Sequence, residues 1–238
     1  PLEGSSHPGR RLRLQAPPEV RIPNPVLRTL AEATRLRDSR ATASSLLDLL
    51  SLTPISYRWR LPERDELARL IDAAGIRWGL DAQHRADQGL SGIAQNTWAR
   101  GLDRLLAGLA LAPGSTALPI SGVDAVSTSE LELIGSLTEI FTRLRRYAAT
   151  AEPATLPEWV ARARRLLDEL IDLPPGEDSL LQEAIFRLAQ LAEEGASSPV
   201  RVTASDFTRL LEQLAAEPTP RLGVGNGNLT VVGPGELK

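Results

Sequence analysis

Two short stretches concentrate the residue types that grip other molecules or stack on them. The first runs Gly75-Ile76-Arg77-Trp78-Gly79-Leu80-Asp81 and is followed by His84-Arg85. The second, Gln95-Asn96-Thr97-Trp98, leads through Ala99-Arg100 into Gly101-Leu102-Asp103-Arg104-Leu105-Leu106. Only 4 Trp occur among 238 residues, and Trp78 and Trp98 both fall here beside arginine and glycine. An indole offers a flat face to an unpaired base, and a guanidinium fork matches a phosphate. The same residues suit a quieter role, in which the indoles pack on each other or on Leu102 and Leu105 while Arg77 bridges helix ends. Exposure or burial of the two rings separates these readings.

Other chemistries have little to work with. There is no cysteine, which excludes disulfides, thiolate nucleophiles and cysteine-ligated metals. His7 and His84 are far apart, so a zinc site would depend mostly on carboxylates. Lys238 is the sole lysine, so no phosphate-binding G-x-x-x-x-G-K motif exists. The glycines from Gly223 to Gly227 precede a strand signal instead of opening a helix, unlike a dinucleotide fingerprint. Asp81 and His84, three apart, could form a base–orienter pair, but no nucleophile is tied to them. A helix cap at Asp81 beside an exposed His84 is the expected arrangement. Glu193-Glu194 reads as a solvated helix end. No cofactor is expected.

The elements that must position these residues are helical. Hydrophobic residues make up 42% and aromatics only 4%, so the core is built from Leu, Ala, Ile and Val, a palette suited to helix-on-helix packing. The expected fold class is mainly α, a helical domain of about seven to nine helices with short strands at both ends. Residues 1–23 read as a Pro-rich basic arm carrying Arg10-Arg11-Leu12-Arg13, with a strand near Val20–Ile22. The helical domain spans 24–216. Asn24, Thr42, Asp81, Asn96 or Thr97, Ser127 or Thr128, Thr155, Asp178 and Thr203 are the expected helix starts, and Pro54 is expected to end the second helix. Residues 217–238 read as a turn and a strand over Leu229–Val232. Strands flanking a helical body fit an insertion whose ends return to a parent sheet. The absence of Met, even at position 1, suggests a piece of a longer protein.

Net charge is −3, which gives no general attraction to nucleic acid. Every one of the 27 basic residues except Lys238 is arginine, a bias that fits either a GC-rich genome or phosphate contact. No apolar run approaches a membrane span, so a cytoplasmic setting without membrane partners is expected.

The signature resembles the RecC family, the gamma subunit of exodeoxyribonuclease V. That family carries a similar Ile-Arg-Trp-Gly-(Leu/Ile)-Asp block, followed about twenty residues later by Asn/His-Thr-Trp-Arg-Phe-Gly-Leu and a Leu-rich helix. The matching positions are Ile76 to Asp81, Asn96 to Trp98 and Gly101 to Leu106. Asn24-Pro25-Val26-Leu27, Leu118-Pro119-Ile120 with Val123, and Leu229-Thr230-Val231-Val232 are weaker echoes. Ala99-Arg100 stands where the family has Arg-Phe, and Ala107-Gly108-Leu109 where it has Leu-Gly-Tyr.

The resemblance implies a helicase-like fold without an ATP site, of which this segment is the helical insertion of the second motor-like domain. It implies a parent subunit that helps split duplex DNA, guides single strands to helicase-nuclease and helicase partner subunits, and scans one strand for a regulatory sequence. None of the family's catalytic residues maps onto this stretch. Arg77, Trp78, Asn96, Trp98, Arg100 and Arg104 are therefore the candidate DNA-contacting residues, with single-stranded or forked DNA as the expected ligand. The alternative is a docking module for the partner subunits with no DNA contact, which a large exposed apolar patch would favour.

Overall fold

In the computed structural model the described residues are 23–111, 121–123, 126–150 and 153–217, together with the backbone of 14–15 and 229–230. The strand expected near Val20–Ile22, the Arg10–Arg13 cluster, the Leu118–Ile120 echo and the Gly223–Gly227 run lie outside them.

Local signals set most of the helices. Asn24 accepts hydrogen bonds from Val26 N at 3.0 Å and Leu27 N at 3.3 Å, and Pro25 takes the first position of α1 (Pro25–Arg35). Thr42 caps α2 (Ala43–Leu50), whose Leu46, Leu47, Leu49 and Leu50 are buried. Pro54 does not terminate that helix as expected. It sits in the first turn of a further short helix, α3 (Thr53–Trp59), where a missing N–H costs nothing because that donor has no intrahelical partner anyway. With α3 added, the described residues hold ten α-helices.

Next come α4 (Arg64–Ala73), α5 (Ala82–Asp87) and α6 (Trp98–Ala110). A 3-10 turn (Thr128–Glu130) then enters α7 (Leu131–Ala148). Three more helices follow, α8 (Leu156–Leu170), α9 (Asp178–Gly195) and α10 (Ala204–Ala216). Capping boxes open both α8, through Thr155 and Glu158, and α10, through Thr203 and Asp206.

The short strands are β1 (Leu14–Gln15), β2 (Ala154–Thr155), β3 (Arg201–Val202) and β4 (Leu229–Thr230). β1 pairs in parallel with β4, Leu14 opposite Leu229, and β2 pairs antiparallel with β3, Ala154 opposite Val202.

α1 is the hub. It packs along α10 and touches α2, α3, α7, α8 and α9. Its cap joins in, because Asn24 Nδ2 donates to Leu180 O at 2.9 Å and so ties the start of α1 to α9. One contiguous apolar core runs through the helices, with a tryptophan deep in each half. Trp159 stacks on Phe207 at 5.6 Å and donates its Nε1 to Val202 O at 3.0 Å, locking α8 to the β3–α10 junction. Trp98 anchors the other half. Among the described residues no helix is long and apolar enough to cross a membrane.

Candidate functional site

The two signature stretches fold into one corner. Ala74 is the C-cap of α4, and Gly75 follows with φ +71°, a left-handed step that lets the chain reverse out of the helix. Segment 76–80 then runs between two others and bonds to both. On one side Gly79 N donates to Arg40 O at 2.9 Å, and Arg77 O accepts from Ala43 N at 2.8 Å. On the other, Arg77 N donates to Asn96 O at 2.9 Å, while Gly79 O and Leu80 O accept from Trp98 N and Ala99 N at 3.0 and 2.9 Å.

Those last two bonds matter chemically. A helix N-terminus attracts anions through its unpaired N–H groups. In α6 the first N–H groups are occupied by Gly79 O and Leu80 O, and Arg100 N by Thr97 Oγ1 at 3.3 Å. This helix start is therefore closed to phosphate.

The Trp98 indole is 2% exposed and donates its Nε1 to Ala41 O at 3.1 Å. It is core, with no open face for a base. Ala41 holds a left-handed φ of +44°, a non-glycine strain of order 1–3 kcal/mol, and the carbonyl presented this way also accepts from Gly79 N at 3.2 Å. Trp78 is half-buried. The guanidinium carbon of Arg85 lies 4.4 Å from its ring centroid and that of Arg40 lies 5.7 Å away, so cation–π contacts hold the ring.

Arg85, which follows the first stretch but is not among the candidate contacts, supports the corner. It is buried, donates to Trp78 O at 2.9 Å, and burial lowers its pKa from the ordinary guanidinium value. His84 is also buried, contrary to the expected exposure, because α5 turns its ring toward Leu36 O, 3.3 Å from Nε2. Asp81 caps α5 through His84 N at 2.9 Å and pairs with Arg145 at 2.5 Å, so its carboxylate serves structure on both sides.

The remaining candidates separate. Arg77 pairs with Asp72 at 2.7 Å on the surface. Asn96, Arg100 and Arg104 line one cleft of about 350 Å³ together with Gly75, Gln95 and Gly101. Arg104 is anchored inside it, donating to Ala74 O at 2.7 Å and to Ser121 O at 3.3 Å, which satisfies a carbonyl left open at the end of α4. Arg100 is looser, 3.8 Å from Asp103. No carboxylate lines the cleft among the described residues. It presents two guanidiniums, two primary amides and glycine backbone, a surface suited to an anion or a base edge.

Comparison with known proteins points to one family. The family model for the RecBCD enzyme subunit RecC fourth domain matches residues 23–219. The RecBCD enzyme subunit RecC of Mycobacterium tuberculosis (strain CDC 1551 / Oshkosh) is 33% identical over 97% of this chain, and that of Mycolicibacterium smegmatis is 30% identical over 95%. The subunit of Escherichia coli (strain K12) is 29% identical over 82%. The chain spans about a fifth of the length of these relatives, 21% of the mycobacterial proteins and 18% of the Escherichia coli one.

Proposed function

Because this chain belongs to the RecC family, matching its fourth domain, we propose that it acts as a non-catalytic DNA-handling and scaffold segment of the gamma subunit of a recombination and repair helicase-nuclease. The supporting observation is the carboxylate-free cleft in which Asn96, Arg100 and Arg104 converge. Arg100 and Asn96 are the contacting residues in this reading, and Arg104 sets the wall. Gly75, Gly79, Trp78, Trp98 and Arg85 position the corner, and Arg77 stands at its edge. The parallel pairing of β1 with β4 supports a sheet flanking the helical body. The ligand is single-stranded or forked DNA.

The test is a salt titration of binding to single-stranded, forked and duplex oligonucleotides, comparing wild type with Asn96→Asp/Arg100→Ala. Fork or single-strand preference that weakens with salt and in the variant supports the reading. Absence of binding at low salt, with the circular dichroism spectrum intact, removes it.

A docking role for a basic, apolar segment of a partner subunit is favoured by one feature. Phe186 is 60% exposed on α9 in a groove against α10. Glu194 lines it too, while the Glu183 and Glu217 carboxylates there pair with the buried Arg187 at 3.0 and 3.6 Å. The outward aromatic and Glu194 suit such a segment.

A further inference from the structure

A second concentration of arginine shares no residue with the cleft. Arg143 and Arg146 are three apart on α7, and Arg162 and Arg165 three apart on α8, so each pair projects from one helix face. The two faces meet in one open slot, which Thr150 also lines and in which Glu169 is the single carboxylate among the described residues. Guanidiniums thus outnumber carboxylates four to one within it.

The neighbouring acids are committed. Glu169 pairs with Arg146 and, from outside the slot, Glu139 pairs with Arg143. Glu158, which feels Arg162 only weakly, spends its oxygen on the Thr155 capping box. Two arginines are braced on aromatic faces, Arg143 at 5.0 Å from the Trp59 ring and Arg162 at 4.6 Å from that of Trp159. Bracing of this kind fixes a guanidinium before a ligand arrives, so less freedom is lost on binding. Arg165 is exposed and reaches out of the slot, and Arg146, although paired with Glu169, is 57% exposed and open to an incoming phosphate on its other side.

We infer that the α7–α8 slot is a second nucleic-acid contact that grips the phosphodiester backbone and does not read bases. A guanidinium fork pairs with the two non-bridging oxygens of a phosphodiester, and a row of such forks matches a chain with one charge per residue. Bases are not read because Tyr147, the one aromatic lining the slot among the described residues, is buried against Trp159, and the Trp59 and Trp159 rings are faced by arginines. The inference deepens the DNA-handling reading and rests on it. It also assigns Arg146, which lies in the last turn of α7 where a cation complements the helix dipole, a second role.

The test uses the full chain and fluorescent twenty-residue oligothymidylate, with an abasic oligonucleotide of equal length, from 50 to 200 mM salt. Two lost phosphate contacts lower the slope of log K against log salt by about 1.4 for a single strand. Arg146→Ala/Arg165→Ala therefore loses about 7-fold less affinity than wild type across that fourfold salt range. Arg146→Lys/Arg165→Lys keeps the charges and retains the wild-type slope. Abasic and oligothymidylate strands bind alike at the slot.

An unchanged slope in the alanine variant, with wild-type melting, overturns the inference, as does a stronger preference of the slot for polyglutamate than for either strand. If the alanine variant is unaffected while Asn96→Asp/Arg100→Ala still weakens binding, the cleft reading survives and the slot alone falls. If neither variant matters, both fall.

Discussion

Replacing Gly101 by alanine sets two forces against each other in the corner that bears the signature. Gly101 lies inside α6, where exchange of glycine for alanine stabilises a helix by about 1 kcal/mol. Against this, a Cβ at position 101 would sit 2.1 Å from Ile76 Cγ1 and 2.6 Å from Ile76 Cδ1. Carbon atoms rest about 3.5–4.0 Å apart, so Ile76 would have to retreat by about 1.5 Å. Ile76 is 0% exposed and belongs to the main core, so no solvent space receives it.

Overpacking of a filled core costs about 1–3 kcal/mol, and this overlap falls at the upper end. The net expectation for Gly101→Ala is a loss of about 2 kcal/mol, seen as a melting temperature about 4–8 °C lower in a domain of this size. The assay is urea and thermal unfolding followed by circular dichroism, run as a double-mutant cycle with Ile76→Ala. Alone, Ile76→Ala costs about 2–5 kcal/mol. In that background the obstructing atoms are gone, and adding Gly101→Ala stabilises by about 1 kcal/mol, a coupling of about 3 kcal/mol. Strict additivity, or a higher melting temperature for Gly101→Ala alone, would refute the claim that glycine is there to let α6 close on Ile76.

Two further outcomes are expected. Trp98→Phe removes the Nε1 donor to Ala41 O and part of a buried ring, and lowers stability by about 1–3 kcal/mol in urea, whereas a change below about 0.5 kcal/mol would show that the indole is not what holds the Arg40–Ala41 segment. Glu158 is held below its ordinary pKa of 4.5 first by the Thr155 backbone N–H, and Asp206 below 3.8 first by the Thr203 hydroxyl. A lowered folded pKa contributes stability that is complete above the ordinary value and is lost as acid carries the group down through its folded value. Melting temperature therefore falls less steeply below about pH 4.5 in Glu158→Gln/Asp206→Asn than in wild type, and parallel curves would count against the capping boxes.

The helices were largely legible because their start signals are local. Asn24 before Pro25, Thr42 before an apolar run, and Thr155 and Thr203 three residues ahead of an acid each specify a cap within one turn. Pro54, expected to end the second helix, misleads for an equally local reason, since the same missing N–H that stops one helix is harmless at the start of the next. The site was legible in part. Asn96, Arg100 and Arg104 converge because four residues bring a helix back to one face, and Asn96 closes the turn just ahead of it. What spacing could not reveal is that Trp98 is satisfied by a carbonyl at Ala41, 57 positions away, or that Arg85 folds back onto Trp78. Such contacts depend on how α2, α5 and α6 pack, and no nearby residue announces them.

The partnership of α1 with α10 has a temporal side. Arg35 meets Glu212 across 177 positions, and Thr34 meets Thr208 across 174. At about 5–20 residues per second, a ribosome that has finished Arg35 needs about 9–35 s to reach Glu212. Throughout that interval the first helix, with Val26, Leu27 and Leu30 destined for full burial, waits without its main neighbour. Its long-range closure belongs to the slow end of domain assembly, after the Trp98 corner, whose segments lie closer together in the chain, has had time to form.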